Sequence, residues 1–360
     1  EEAACRRTVE TKKKEASQLD AEIAEMRSKL SEQQQLAEDV EHKVSERIEL
    51  ARRNAAEFIA ENAFVHINTA PVVQPGTEPA MSAHSIARFT EGAGLNSEEL
   101  DVNDSWKDVL LTIQSELEEA GVAKDKVVGL SGFMYSAYLN RIPLLLAGPN
   151  GAEIARAFSI AINGITPSKL RCSGEYQQAE LGKCETAASD VVVIEHPFQH
   201  EWYSEVLELF ARRKQFYIAI HPFAEDLAIE PKGILNYCVP VMTDTFVDSA
   251  PSMNYLGGRM SDSFSEFKRE RTASKYKDLL SVFGLSSFAR STIQSLMSDI
   301  LQMVPDAAVE SDYLYILYPL AYVLGKTAEL CDFIDSCAEG TQPPRTIREI
   351  IGERSGAGND

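Results

Sequence analysis

Leu144-Leu145-Leu146-Ala147-Gly148-Pro149-Asn150-Gly151-Ala152-Glu153-Ile154-Ala155 is the stretch on which the fold turns. The apolar run 144–147 reads as a strand buried on both faces. Gly148-Pro149-Asn150-Gly151 follows as a loop. A helical spacing sets in at Ala152 and runs through Ala155, Phe158, Ile160 and Ile162. A strand, a Gly-rich loop and a helix in this order point the first free N–H groups of the helix at the end of the strand, where a phosphate is well held. The plain alternative is a turn joining a strand to a helix.

The spacing is that of the phosphate-binding pattern GxxxxGK[ST], with Gly148 as its first glycine. The later positions have changed. Glu153 stands where the second glycine belongs, Ile154 where the lysine belongs and Ala155 where the hydroxyl belongs. Ile154 offers a phosphate no charge, and Ala155 offers Mg²⁺ no oxygen. A carboxylate in the first helical turn is favoured by the helix dipole, so Glu153 can occupy a phosphate's place and repel a nucleotide. Asn150 is suited to cap the same helix. Gly148, Asn150, Gly151, Glu153 and Glu195 make up the expected, degenerate nucleotide site.

Two more apolar runs follow. Asp190-Val191-Val192-Val193-Ile194-Glu195-His196 ends in an acid, and Gln215-Phe216-Tyr217-Ile218-Ala219-Ile220-His221-Pro222 ends in a histidine. Gly233 to Val241 leads back into a short apolar strand. Over residues 125–335 this succession resembles the core of an AAA+ ATPase. The resemblance implies an α/β fold: a P-loop, AAA+-like parallel sheet flanked by helices, a C-terminal helical lid, and the two histidine-ended strands lying side by side. It matches the family's Mg²⁺-binding Asp to Glu195, its hydrolytic Glu to His196, its polar sensor to His221 and its P-loop Lys to Ile154. Removing those charges takes away what stabilises phosphoryl transfer. ATP and Mg²⁺ are therefore disfavoured as cofactors, and none is expected. Arg290 lies among the expected lid helices, but no motif fixes it to a lid arginine of the family.

Ahead of this region, Val9 to about Asn62 holds one helical pattern without Pro or Gly. Ala16, Leu19, Ile23, Met26, Leu30, Ala37, Val40 and Val44 recur in alternating steps of three and four, with Gln33 as the polar member between Leu30 and Ala37, a heptad repeat. Such a helix spans about 80 Å, and its apolar seam needs a second helix. The expected partner is another copy of the chain or a coiled-coil protein. The alternative is a long helix lying on its own globular domain. The expected organisation is a coiled-coil helix over 1–62, a loop-rich connector and helix over 63–124, an α/β core over 125–250, a helical lid over 251–350 and a polar tail over 351–360. The chain opens on helix almost at once, which reads as a piece of a longer protein.

The 360 residues carry a formal charge of −20, which disfavours broad contact with nucleic acid. Lys12-Lys13-Lys14, Arg212-Arg213-Lys214 and Lys268 to Arg271 are short basic runs best read as solvated helix faces. The six cysteines form no CxxC pair and read as reduced thiols. No run of 18 apolar residues suggests a membrane span, and a cytoplasmic location is expected. His196 and His221, with Glu195 and His200 nearby, are weak metal candidates whose spacing fits no metal motif. The alternative is hydrogen-bonded residues filling space at strand ends. No G-x-S-x-G occurs. The expectation is an inactive AAA+-like scaffold or regulator that oligomerises or binds a partner through its coiled coil. The competing reading is a divergent nucleotide hydrolase in which Arg156 replaces the missing charge.

Overall fold

A computed structural model describes residues 88–95, 100–270, 275–336, 342–345 and 348–351. The heptad segment 1–62, the connector before residue 88, in which Phe64-Val65-His66-Ile67 reads as a strand, and the tail after Ile351 lie outside the described residues.

In chain order the elements are β1 (Phe89–Thr90), β2 (Asp101–Ser105), α1 (Trp106–Glu119), α2 (Val127–Leu139), β3 (Leu144–Ala147), α3 (Gly151–Asn163), β4 (Ser168–Arg171), α4 (Gln178–Cys184), β5 (Val191–Glu195), α5 (His200–Arg212), β6 (Phe216–His221), β7 (Val239–Met242) and β8 (Gly258–Ser265). Then come α6 (Lys277–Val282), α7 (Ser287–Met303), α8 (Ala308–Ser311), a π turn (Asp312–Leu317), α9 (Tyr318–Leu324) and α10 (Thr327–Ser336).

The result is a mixed α/β fold around a mostly parallel sheet flanked by helices, in the order β1-β4-β5-β6-β3-β7. Only β1 runs antiparallel to its neighbour. All four residues of β3 are buried, as is the apolar run 191–194 of β5. Both faces are covered, which is why these strands read as unbroken apolar runs rather than as alternation. The register pairs Ala147 with His221 on one side and with Met242 on the other. The carboxyl ends of β3, β6 and β7 therefore lie together, at the edge where open α/β sheets hold their ligands.

α1 starts at Ser105, whose N–H donates to the Asp108 carboxylate at 2.9 Å, half of a capping box. α2 is buried along nearly its whole length. Its small residues let α7 and α8 come close. A Cβ on Gly132 would lie 2.7 Å from Val304, and one on Gly129 would lie 2.5 Å from the Ser311 hydroxyl. At the end of that seam the buried Asp299 of α7 accepts from Ser136 Oγ (3.1 Å), Asn140 Nδ2 (2.8 Å) and Arg269 Nε (3.0 Å).

Tyr313–Leu324 reads from its spacing as a core helix interrupted or started by Pro319, and it is split between the π turn and α9. Pro319 has no N–H and crowds the carbonyl four residues back. The turn ahead of it is widened to π, with the Tyr318 N–H reaching the Tyr313 carbonyl. Two local readings of the sequence are corrected. The Gly-containing stretch Ser252–Ser265 reads as a loop, but β8 occupies its second half and pairs in parallel with β2, irregularly between Asn103 and Ser105. His84 to Phe89 reads as a short helical piece, but Phe89 lies in β1. Among the described residues no helix is long and apolar enough to cross a membrane.

Asp299→Ala leaves the fully buried Ser136 hydroxyl without its acceptor and takes from the Asn140 amide one of its two acceptors, the Ser136 carbonyl remaining. It is expected to cost about 1–3 kcal/mol of stability, read from the urea midpoint at unchanged slope.

Candidate functional site

Only Gly148, Pro149 and Asn150 separate β3 from α3. Gly151, Ala152 and Glu153 already form the first helical turn, and the Ile154 N–H donates to the Asn150 carbonyl at 2.8 Å. The helix thus begins earlier than a GxxxxGK[ST] loop allows, and the open cradle of backbone N–H groups is shortened.

Thr243, just past β7 and fully buried, holds this short loop shut. Its hydroxyl lies 3.1 Å from the Ala147 carbonyl and 2.7 Å from the Pro149 carbonyl. Gly148 sits at φ +113°, and a Cβ there would lie 2.7 Å from the same hydroxyl. Its N–H donates to the His221 carbonyl at 3.0 Å. Asn150 takes the left-handed conformation, φ +56°, which Asn tolerates better than most residues. Its side chain does not cap α3. Nδ2 donates instead to the Ala120 carbonyl (3.0 Å) and the Ser249 carbonyl (2.9 Å), tying the loop to the end of α1 and to the segment after β7.

Ile154 and Ala155 are wholly buried in the apolar core. Glu153 is partly exposed. It accepts from the Tyr255 hydroxyl at 3.3 Å and lies 3.8 Å from Arg156 Nη1. The Arg156 guanidinium stands 5.7 Å from the centre of the Tyr255 ring. Burial first, then the neighbouring Glu153 carboxylate, pushes the Tyr255 phenol up. Behind this group Glu116 of α1 accepts from the N–H groups of Gly257 (2.7 Å) and Leu256 (3.0 Å). Burial raises the Glu116 carboxyl, and those two donors oppose the rise. The segment 249–257 is therefore strapped along the first turn of α3 and the last turn of α1.

The second part of the site lies at the ends of β5 and β6, which are neighbours in the sheet. Glu195 is paired with its cross-strand partner Arg171, Nε to Oε2 at 3.0 Å. His196 is exposed and left-handed at φ +58°. His221 is mostly buried. Its Nδ1 lies 2.8 Å from the Phe223 carbonyl and its Nε2 lies 3.4 Å from Glu230 Oε1. The Phe198 ring stands edge-on to it at 5.7 Å. His196, His200, His221, Phe198 and Glu230 line a shallow cleft of about 310 Å³.

The histidines thus share one cleft, while Glu195 turns aside to Arg171. No group of three or more His, Cys, Asp or Glu among the described residues is arranged to hold a metal. Cys172 and Cys184 are buried near β4 and α4, and burial pushes both thiols up to about 12, so they are poor nucleophiles at neutral pH.

Thr243, Tyr255 and Glu230 were not singled out in the sequence. Thr243 had a usable signal, because it follows a short strand beside β3 and so lies next to the loop. Tyr255 and Glu230 sit in irregular segments with no pattern to find them.

The fold and site together define an α/β protein with a closed strand–loop–helix turn and a histidine cleft on one sheet edge. No protein-family model matches the chain, and a search of the curated proteins finds no match.

Thr243→Val leaves the Ala147 and Pro149 carbonyls without their donor and is expected to lower stability by about 1–3 kcal/mol. Gly148→Ala is expected to be destabilising as well, through its positive φ and its approach to Thr243. Both are read by chemical denaturation.

Proposed function

We propose that the chain is a catalytically inactive AAA+-like scaffold or regulator, assembling with another copy or a coiled-coil partner through residues 1–62. One observation carries this reading: the turn between β3 and α3 is closed from within by Thr243, while the two positions that would grip phosphate and Mg²⁺, Ile154 and Ala155, are core residues. The sheet supports the family likeness, since the two histidine-ended strands β5 and β6 are neighbours in it, as the resemblance implies. The helices from α6 to α10 take the role of the lid. With the acid at Glu195 paired to Arg171 and His196 in place of a hydrolytic carboxylate, the site lacks the charge needed to bind Mg²⁺ and direct a water.

A competing reading has its own observation. Arg156 Nε is buried without a hydrogen-bond partner, so a divergent phosphate site built on this guanidinium is chemically possible. Glu153 and Tyr255 oppose it by occupying the rest of the side chain.

Titration with Mg²⁺-ATP and Mg²⁺-GTP, followed by calorimetry and thermal melting, separates the two. The scaffold reading expects no shift in melting temperature at millimolar nucleotide and no phosphate release. A rise in melting temperature that Arg156→Ala abolishes would replace it with the divergent hydrolase. A change of self-association on deleting residues 1–62, followed by sedimentation, is the matching test of the assembly role.

A further inference from the structure

The C-terminal helices carry a carboxylate that the sheet-edge site does not use. Asp312, the first residue of the π turn, is wholly buried. No backbone N–H reaches either of its oxygens. Two side chains face it, both from the stretch entering α6. Lys275 Nζ lies 4.0 Å from Oδ2, and the Tyr276 hydroxyl faces the same carboxyl. The Tyr276 ring packs on Tyr313 of the π turn at 5.6 Å and on Phe333 of α10 at 6.0 Å. The carboxyl thus sits in a seam where α6, the π turn and α10 meet.

The remaining charged groups on these elements do not reach it. Glu310 is taken by Lys126 and Glu329 by Lys326. Lys277, Asp278, Asp332 and Asp335 face solvent.

A buried carboxylate with so few donors is cheaper neutral than charged. Burial pushes the Asp312 carboxyl up to about 7, and Lys275 and Tyr276 only partly offset that. When the seam opens and water enters, the carboxyl returns towards its ordinary value of 3.8. The closed form then holds a proton that the open form releases. Closure is therefore favoured fully below the open-state value, and the advantage is lost as pH rises through about 7.

We propose that Asp312 is a proton-operated latch on the C-terminal helices: neutral, it keeps α6 closed on the π turn, and ionised, it favours release of α6 with Lys275 and Tyr276 into water. The latch needs no ligand. It makes the packing of one helix respond to pH near neutrality while the sheet stays closed.

Hydrogen exchange of the whole chain between about pH 5 and 8.5, corrected for the intrinsic pH dependence of exchange, tests this. Protection of the α6 amides is expected to fall about tenfold per pH unit up to about pH 7 and then to level off. In Asp312→Asn the protection is expected to be independent of pH. Lys275→Met alters a partly exposed side chain and removes the one cation that faces the carboxyl among the described residues. It is expected to move the levelling point up by about one pH unit, and this arm decides the matter should the Asn variant fail to fold. A flat profile in the unaltered chain, a slope that survives Asp312→Asn, or an equal slope in the amides of β3 and β6 would overturn the latch.

Discussion

The described sheet and its helices are arranged around a strand with no solvent face. β3 is buried at all four residues and hydrogen-bonded on both edges, to β6 and to β7. Its side chains need apolar cover above and below, and its backbone is already saturated. α3, which follows it directly, must cross the sheet before β4 can begin at the far side. The chain then steps back through β5 and β6 and passes β3 to place β7 on its other edge. The loop, the histidine cleft and Thr243 all lie at the carboxyl end because these strands run parallel.

That edge is also where the backbone is least comfortable. Asn150 and His196 both adopt the left-handed conformation, which costs non-glycine residues free energy and persists only where the surroundings impose it. At Asn150 the imposing contacts are visible: two carbonyls, from Ala120 and Ser249, accept from one amide nitrogen. The same amide that the sequence offered as a helix cap acts instead as a cross-tie between three segments. Glu153, offered as a substitute for phosphate, is engaged by Tyr255 and Arg156. Local sequence gave the right neighbourhood for both side chains and the wrong partners, because the partners come from distant stretches of chain.

What could be read from sequence followed periodicity. The strands at 144–147, 191–195 and 216–221 and the helices at 106–119, 127–139 and 287–303 have apolar patterns strong enough to be seen without the fold. β4, with only Ser168 and Leu170 buried, has no such pattern. The β2–β8 ribbon joins two polar stretches far apart in sequence, and pairing over such a distance leaves no local mark. α5 carries a legible stripe in Trp202, Val206, Leu209 and Phe210. Of the site, the loop and both strand-end histidines were legible. Thr243, Tyr255 and Glu230 act from irregular or 3-10 segments, where residue type alone says little about direction.

The glycine-lined face of α2 sets the mechanics of the C-terminal half. With Gly129 and Gly132 letting Ser311 and Val304 approach almost to the helix backbone, and Asp299 bonded across the same seam, a slide of α7 along α2 breaks close contacts and hydrogen bonds together. A rigid swing of the whole helical unit would have to break that contact at once. α2 and the helices behind it are thereby held together close to their backbones. The π turn packs on β7 on one side and, through Tyr313, on Tyr276 at the entry to α6 on the other, so six residues of widened helix stand between the outer helices and an edge strand of the sheet.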